Sequence, residues 1–243
     1  MQIETLVVGQ LKTNCYLVFC QETRETLIID PGDDGDFIIN RIRDLDLEPK
    51  AIVATHGHFD HVLAVTELKL TYPIPFYLHK KDLKILKRAQ PTARYFLDTA
   101  VDPVIMPDKF LKEGNKIKFG REVLKVLEIP GHTEGSISLF SSGKTLSSSS
   151  GMKACFPREK TETPPFKVGK TSFDGKKHLF VGDTIFAGGS YGRTDLEGGD
   201  SKKVDISIKR LLKFPKETII YPGHGEQTTV AAEIGFWQNN REL

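Results

Sequence analysis

The sequence predicts an α/β fold, because short apolar runs typical of buried strands alternate with amphipathic segments typical of helices. The apolar run at 50–54 and the helix-like run at 62–68 show this alternation, and a cluster of metal-binding side chains lies between them. Of the 243 residues, 39% are hydrophobic and 27% are charged, which is ordinary for a soluble globular protein. We therefore expect one domain over residues 1–243.

The first half of the chain is predicted to contain five strands and three helical segments. In chain order these are strands at 2–9, 15–20 and 25–30, a helix from Asp34 or Gly35, the strand at 50–54, the helix at 62–68, a strand at 76–79 and a helical segment at 81–98. Pro49 is expected to end the first helical unit, and Pro91 is expected to break the last one. The lysine-rich run at 80–88 is interpreted as a solvated helix face.

The second half is predicted to be richer in strands. They are expected at 116–119, 122–129, 136–140, 177–181 and 216–220, with a hairpin turn at Gly120 and Arg121. Asp200 or Ser201 is predicted to cap a helix whose apolar positions fall on one face, and a last short helix is expected from Thr228 or Thr229. The segment at about 144–173 is rich in Ser, Lys, Thr and Pro, which predicts a flexible inserted loop. In an alternative interpretation, Phe156 or Phe166 from this loop caps a functional site.

The turn between the strand at 50–54 and the helix at 62–68 carries the clearest chemical signal. His56, His58, Asp60 and His61 fall within six residues of one another. Neutral imidazole is a common ligand of zinc-like ions, and a carboxylate adds an oxygen donor that suits a second or shared ion. A turn at the end of a buried strand is also a place where rigid scaffolds often carry functional groups.

Three further candidate ligands follow apolar, strand-like runs and lie beside glycine: His132, Asp183 and His224. Glycine allows a tight turn and a close approach of the backbone to a bound group. Of the other two histidines of the chain, His79 is interpreted as a structural or surface residue, and His178 is left out of the site because it lies within a strand rather than at its end.

These seven residues resemble the motif of the metallo-β-lactamase superfamily, H-x-H-x-D-H followed by a distant His, Asp and His in that order. The run at 27–32 also resembles that family's first strand with a supporting aspartate, Asp30. Within the superfamily, the chain is most similar to the short glyoxalase II-like hydrolases that lack a C-terminal helical domain, on the segments at 130–133, 182–186, 192–196 and 221–225. This resemblance implies a four-layer αβ/βα sandwich with ligands from both halves at one edge.

The resemblance also implies two divalent metal ions, with zinc as the first expectation and iron or manganese as alternatives. In the family pattern, one ion takes His56, His58 and His132, the other takes Asp60, His61 and His224, and Asp183 bridges the two. A hydroxide held between the ions would attack an acyl carbon, with Asp60 orienting it or receiving its proton. Asp60 and Asp183 are therefore the candidate catalytic residues, and a thioester such as S-lactoylglutathione or a related acyl thiol is the expected substrate.

Arg193 is the candidate substrate-binding residue, because it occupies the position where glyoxalase II relatives place a basic group that contacts glutathione. The aromatic residue that follows in those relatives is replaced here by Thr194 and Asp195. In an alternative interpretation, Arg193 forms a structural ion pair with Asp195 or Glu197.

Other functions fit part of the same pattern. A β-lactamase or lactonase would use the same ligands, a persulfide dioxygenase would use a single iron, and an RNA-processing nuclease or a non-enzymatic binding module fits least well. The net charge of +2 gives no reason to expect a nucleic-acid partner, and no run is apolar enough for a membrane span, so we expect a small-molecule substrate. Three cysteines without a pairing pattern and a start without a signal-peptide pattern predict a cytoplasmic protein. No oligomeric state is predicted.

Overall fold

Two six-stranded sheets form the framework of the protein, for which a computed structural model describes residues 1–98, 100–143 and 175–240. The first sheet contains, in spatial and chain order, β1 (Gln2–Val8), β2 (Thr13–Phe19), β3 (Glu25–Ile29), β4 (Glu48–Val53), β5 (Phe76–His79) and β6 (Lys109–Leu111). The second sheet contains β7 (Lys116–Phe119), β8 (Glu122–Glu128), β9 (Ile137–Ser141), β10 (His178–Gly182), β11 (Ile219–Pro222) and β12 (Thr228–Thr229), also side by side. Both sheets mix parallel and antiparallel pairs.

Six α-helices among the described residues cover the outer faces of the sheets. They are α1 (Gly35–Asp44), α2 (Val65–Thr71), α3 (Leu83–Lys87), α4 (Ala89–Leu97), α5 (Ser201–Leu211) and α6 (Val230–Asn240). Helix α5 begins where Asp200 accepts hydrogen bonds from the backbone amides of Lys202 and Lys203, as its capping position predicts.

Three hydrophobic cores separate four layers. One core lies between the first sheet and the helices α1, α2 and α4, and it includes Ile38, Ile52 and Leu68. A second core joins the inner faces of the two sheets, and a third packs α5 and α6 on the second sheet. This order of helix, sheet, sheet and helix confirms the predicted αβ/βα sandwich.

The two prolines act differently from the prediction. Pro49 lies inside β4 rather than ending the preceding unit, at a point where the pairing register between β3 and β4 shifts. The break in the 81–98 segment falls at Arg88, between α3 and α4, while Pro91 lies in the first turn of α4. The backbone nitrogens of a first turn have no partner within their own helix, so proline is tolerated there.

Two short strands, β6 and β12, were not predicted. Each has only two or three residues, too few for an alternating pattern to show. No helix that the structure describes combines the length and apolar character needed to cross a membrane. The predicted insertion at 144–173, with Phe156 and Phe166, lies outside the described residues.

Candidate metal centre

The seven predicted ligands converge at one edge of the two sheets. The His56–His61 turn follows β4, Asp183 follows β10, His224 follows β11, and His132 lies in the loop between β8 and β9. Since β10 and β11 are parallel neighbours, the ends of both strands meet at the same edge. A short 3₁₀ turn at Phe59–His61 carries Asp60, and α2 begins at Val65, slightly later than predicted.

Three histidine side chains form a first trio, His56, His58 and His132. The Nε2 atom of His132 lies 2.9 Å from Nδ1 of His58 and 3.2 Å from Nε2 of His56. Three ring nitrogens that point at one another cannot all donate and accept satisfactorily, whereas a cation between them would use all three lone pairs. The first trio therefore has the donor set of a metal site.

Asp60, His61 and His224 form a second trio. The Oδ2 atom of Asp60 lies 3.2 Å from Nε2 of His224 and 3.6 Å from Nε2 of His61. In each trio the potential ligand atoms all lie within 4.8 Å of one another, which is the spacing expected around a single ion.

Asp183 lies between the two trios. Its Oδ1 atom is 3.4 Å from Nε2 of His61, and its Oδ2 atom is 3.6 Å from Nε2 of His224 and 3.7 Å from Nε2 of His132. One carboxylate therefore faces both groups, which is the geometry required of a shared ligand.

Unpaired atoms support a cation at this place. The buried Nε2 of His61 and Oδ1 of Asp183 have no hydrogen-bond partner among the described residues. Buried polar atoms are rarely left without a partner, and an unexplained case calls for a bound group. A metal ion would satisfy both atoms, so the residues present fit the two ions that the sequence motif implies.

Backbone carbonyls behind His132 and His224 determine which ring nitrogen of these two residues faces the centre. The Nδ1 atoms of His132 and His224 donate to the backbone carbonyls of Arg193 and Leu11, at 2.8 and 3.0 Å. Nδ1 of His61 lies 3.1 Å from a carboxylate oxygen of Asp30. Because carbonyl oxygens only accept, the Nδ1 atoms of His132 and His224 carry hydrogen, so Nε2 is the nitrogen of each of these two rings that faces the centre.

The two trios differ in protonation. Burial, followed by the neighbouring histidines, holds the pKa of His56 well below its ordinary value and that of His58 at about 4. Burial would also lower the pKa of His61, but Asp60, Asp183 and Asp30 outweigh it and raise that pKa well above the ordinary value. His56 and His58 are therefore neutral at pH 7, whereas His61 and His224 in the second trio favour a positive charge.

Asp60 and Asp183 remain ionised. Burial by itself raises the pKa of both carboxyl groups, yet the neighbouring imidazoles, His61 first, lower it below the ordinary value. Both groups can therefore act as anionic ligands or as hydrogen-bond acceptors at neutral pH.

Asp82 is a structural member of the centre that the sequence did not reveal. It is fully buried and accepts hydrogen bonds from the backbone amides of Gly57 and Gly135, at 2.9 and 2.7 Å, and from the hydroxyl of Thr133 at 2.8 Å. One carboxylate thus joins the loop of His56 and His58 to the loop of His132. The expectation that the 80–88 run is a solvated helix face is wrong at this position.

Two glycines permit these close approaches. A Cβ atom at Gly135 would lie 2.4 Å from Oδ1 of Asp82, and one at Gly223 would lie 2.0 Å from Oδ1 of Asp183. Any side chain at either position would therefore displace a carboxylate of the centre.

Arg193 is close to the centre through its backbone rather than its side chain. Its carbonyl orients His132, while its guanidinium, 54% exposed, forms a bidentate ion pair with Asp195 at 2.6 and 2.8 Å. The structural ion pair considered from the sequence is thus present, and Glu197 pairs with Arg88 instead. The two remaining histidines have partners elsewhere: His79 contacts Glu128 and His178 contacts Tyr221.

Comparisons with known proteins agree with this architecture. A family model described as the metallo-beta-lactamase superfamily matches residues 8–146. The chain is 31% identical over 236 residues to a Haemophilus influenzae protein named hydroxyacylglutathione hydrolase GloC, covering 96% of this chain and 95% of that protein. It is similar to the structure of TTHA1623 in a di-iron-bound form, with 32% identity, a TM-score of 0.74 and 98% of each chain covered. It is also similar to the BLEG-1 B3 metallo-beta-lactamase, with 28% identity, a TM-score of 0.76 and coverage of 100% of this chain and 98% of that one.

Proposed function

Because the chain belongs to the metallo-beta-lactamase superfamily, we propose that it is a binuclear metal-dependent hydrolase that cleaves thioesters. The observation that carries this proposal is the placement of Asp183 between two trios of ligand-type side chains. A relative that aligns over nearly the whole chain is named a hydroxyacylglutathione hydrolase, which supports S-lactoylglutathione or a related acyl thiol as substrate.

The residues of the centre would hold two ions in a defined way. His56, His58 and His132 would bind the first, Asp60, His61 and His224 the second, and Asp183 both. Imidazole nitrogen with a minority of carboxylate oxygen is a donor set that suits zinc, and iron or manganese also accept it. Ions bound there would lower the pKa of a coordinated water and polarise the scissile carbonyl.

Asp60 would orient the attacking water. Its Oδ2 atom lies at the second trio and 3.5 Å from the hydroxyl of Thr13, and its lowered pKa keeps it an acceptor at neutral pH. A water held by this carboxylate would present its oxygen to the acyl carbon while Asp60 takes the hydrogen bond.

A thioester suits this arrangement because the reaction needs little acid catalysis. The water oxygen bonds to the acyl carbon while one of its protons passes to Asp60 and on to solvent, the carbon–sulfur bond breaks, and the sulfur leaves as a thiolate that takes up a proton from solvent. The products are a carboxylic acid and a thiol, and the substrate would be a small molecule. The net charge of +2 gives no reason to expect a nucleic-acid partner, and we propose no membrane partner.

The decisive experiment combines metal analysis with a substrate panel. We expect about two zinc-like ions per purified chain and faster hydrolysis of S-lactoylglutathione than of a lactone or a cephalosporin. Faster turnover of the cephalosporin or the lactone would instead support the β-lactamase or lactonase alternative, for which the similarity to BLEG-1 is the specific observation. One iron per chain with oxygen uptake on a persulfide would contradict the hydrolase proposal and identify a dioxygenase.

Arg193 is proposed to contact the thiol part of the substrate once a substrate carboxylate competes with Asp195. Arg193→Ala leaves the carbonyl that holds His132 in place, so we expect a severalfold higher KM for S-lactoylglutathione with kcat little changed. Arg121→Ala is the control, because Arg121 forms a similarly exposed ion pair with Glu22 at the opposite end of the strands. An unchanged KM in the Arg193 variant would contradict a role in substrate binding and would leave the ion pair with Asp195 as the function of this side chain.

A further inference from the structure

A half-open crevice lies beside the second trio, between the turn that joins β1 to β2 and the C-terminal end of α4. Its side-chain lining is mainly apolar and comes from Leu11, Phe59, Leu63 and Leu97. Thr13 and Asp60 complete the lining at the end nearest the ligands. The crevice is therefore continuous with the candidate metal centre rather than a separate hollow.

Two contacts tie the wall of the crevice to the centre. The backbone carbonyl of Leu11 accepts the hydrogen bond from Nδ1 of His224, and Thr13 lies next to Asp60. A group bound against Leu11 would consequently lie within reach of a carbonyl carbon placed at the second trio.

Apolar surface is left exposed here. The Leu11 side chain is 46% exposed at the tip of its turn, and Phe96, 53% exposed, stacks on Phe59 with ring centroids 5.9 Å apart. Leu63 and Leu97 pack on the core with one side only. Exposed apolar side chains that adjoin a reactive centre are typical of ligand contacts.

The other side of the centre is charged. The exposed pair of Arg193 and Asp195 follows the carbonyl that holds His132, whereas the crevice adjoins His224. Asp33 is also among the lining residues, and its negative charge disfavours an anionic group in the crevice. The two sides thus present different chemistry to the two ends of a substrate.

We propose that this crevice binds the acyl chain of the thioester, and that the chain it accepts is an uncharged aliphatic one. This inference rests on the proposed thioesterase function and specifies its substrate class. The thiol part of the substrate then extends toward Arg193. Because the crevice is half-open, it contacts one side of a short chain and leaves the other in water.

The expected selectivity follows from partial burial. Removing a methylene from water fully is worth about a fourfold gain in affinity, so contact on one side gives about twofold per methylene. We therefore expect kcat/KM of the zinc-loaded protein to rise about fourfold from the acetyl to the butyryl thioester of N-acetylcysteamine, and again to the hexanoyl thioester. The succinyl thioester should be at least about tenfold poorer than the butyryl one.

Two substitutions test the assignment. Leu63→Ser and Leu97→Ser are each expected to reduce kcat/KM for the hexanoyl thioester about threefold to tenfold while leaving the acetyl thioester within twofold. Ile206→Ser is the control, because Ile206 is 68% exposed on α5 in the opposite helix layer. A preference that follows the thiol part instead of the acyl chain in these variants would overturn the proposal.

The wild-type panel separates this inference from the function on which it rests. If no thioester is hydrolysed, the proposed function fails. If thioesters are hydrolysed at rates that do not depend on acyl length, or if the succinyl thioester is the best substrate, the function stands and the acyl crevice is refuted.

Discussion

The two trios of candidate ligands share Asp183 but offer an ion different environments. The first trio, His56, His58 and His132, contains only imidazoles, and burial keeps His56 and His58 neutral. The second trio includes a carboxylate, and three aspartates raise the pKa of His61. The first site therefore offers the neutral rings of His56 and His58, whereas the second site stabilises positive charge even in the metal-free protein.

The supports of the two trios differ as well. Asp82 fixes the spacing of the first by joining its two loops, through hydrogen bonds from Gly57, Thr133 and Gly135. The second trio depends on the carboxylate of Asp30 behind His61 and on the Leu11 carbonyl behind His224. Because the supports differ, we expect that a mutation can weaken the binding of one ion without weakening the other, although Asp183 faces both sites.

Loss of the shared ligand should have the largest effect. Asp183→Ala removes the carboxylate that faces both trios, so we expect activity to fall at least about 10³-fold and the metal content to fall below two ions per chain. Asp60→Ala should also remove activity with the fold retained. Far-ultraviolet circular dichroism and metal analysis check both variants, and Asp44→Ala, an exposed carboxylate on α1, is the control. Full turnover by either variant would contradict the assigned roles.

Removing one ligand from each trio tests the comparison directly. His132→Ala and His224→Ala should each bind about one zinc ion. The ion left in His132→Ala has to displace protons from His61 and His224, whose pKa values are raised, whereas the ion left in His224→Ala meets His56 and His58, whose pKa values are lowered. Calorimetric zinc titration in two buffers at pH 7 should therefore show more protons released per ion in the first variant than in the second. Equal proton release would show that the trios are not distinct.

Asp82→Ala should weaken one site selectively. It leaves the buried amides of Gly57 and Gly135 without an acceptor, which is expected to cost about 2–4 kcal/mol of unfolding free energy. Zinc affinity at the first trio should fall about tenfold to a hundredfold, while the second is little affected. Competition with a chromophoric chelator measures the two affinities. Parallel weakening of both sites would assign Asp82 a general structural role only.

A smaller effect is expected in the acid stability of the metal-free protein. The folded-state pKa of His58 is about 4, below its ordinary value of 6.5, so the unfolded chain binds a proton that the folded chain does not. That stability is present above pH 6.5 and is lost as the pH falls toward 4. Relative to wild type, His58→Gln should therefore gain roughly 1–2 kcal/mol between pH 6.5 and 4.5, measured by urea unfolding. A constant difference over this range would refute the shift.

The sequence predicted the ligands better than it predicted their supports. His56, His132 and His224 could be found because their residue types carry the chemistry and glycine lies beside each of them. The structure brings all seven candidates together, and their role as ligands remains a prediction until metal is measured. Asp82 escaped notice because an aspartate among lysines looks like part of a solvated surface, and its burial depends on loops distant in the chain.

Boundary errors have similar local causes. Pro49 looked like a terminator, but a shift in strand register accommodates it inside β4. Pro91 looked like a helix break, yet its missing amide hydrogen falls in a first turn, where none is needed. The crevice beside Asp60 could not be predicted, because Leu11 and Leu97 come together only when the β1–β2 turn meets α4.

The candidate ligands come from both halves of the chain, and this affects how the stability of the folded protein depends on metal. Four of the candidate ligands follow β4 of the first sheet, and three come from loops of the second. Ions bound at this edge would connect the two sheets, so the midpoint temperature of thermal unfolding should rise with the concentration of free zinc. The amount of folded protein would then depend on the supply of metal. When metal is scarce, more of the chain would be unfolded and degraded by proteases, even with its rate of synthesis unchanged.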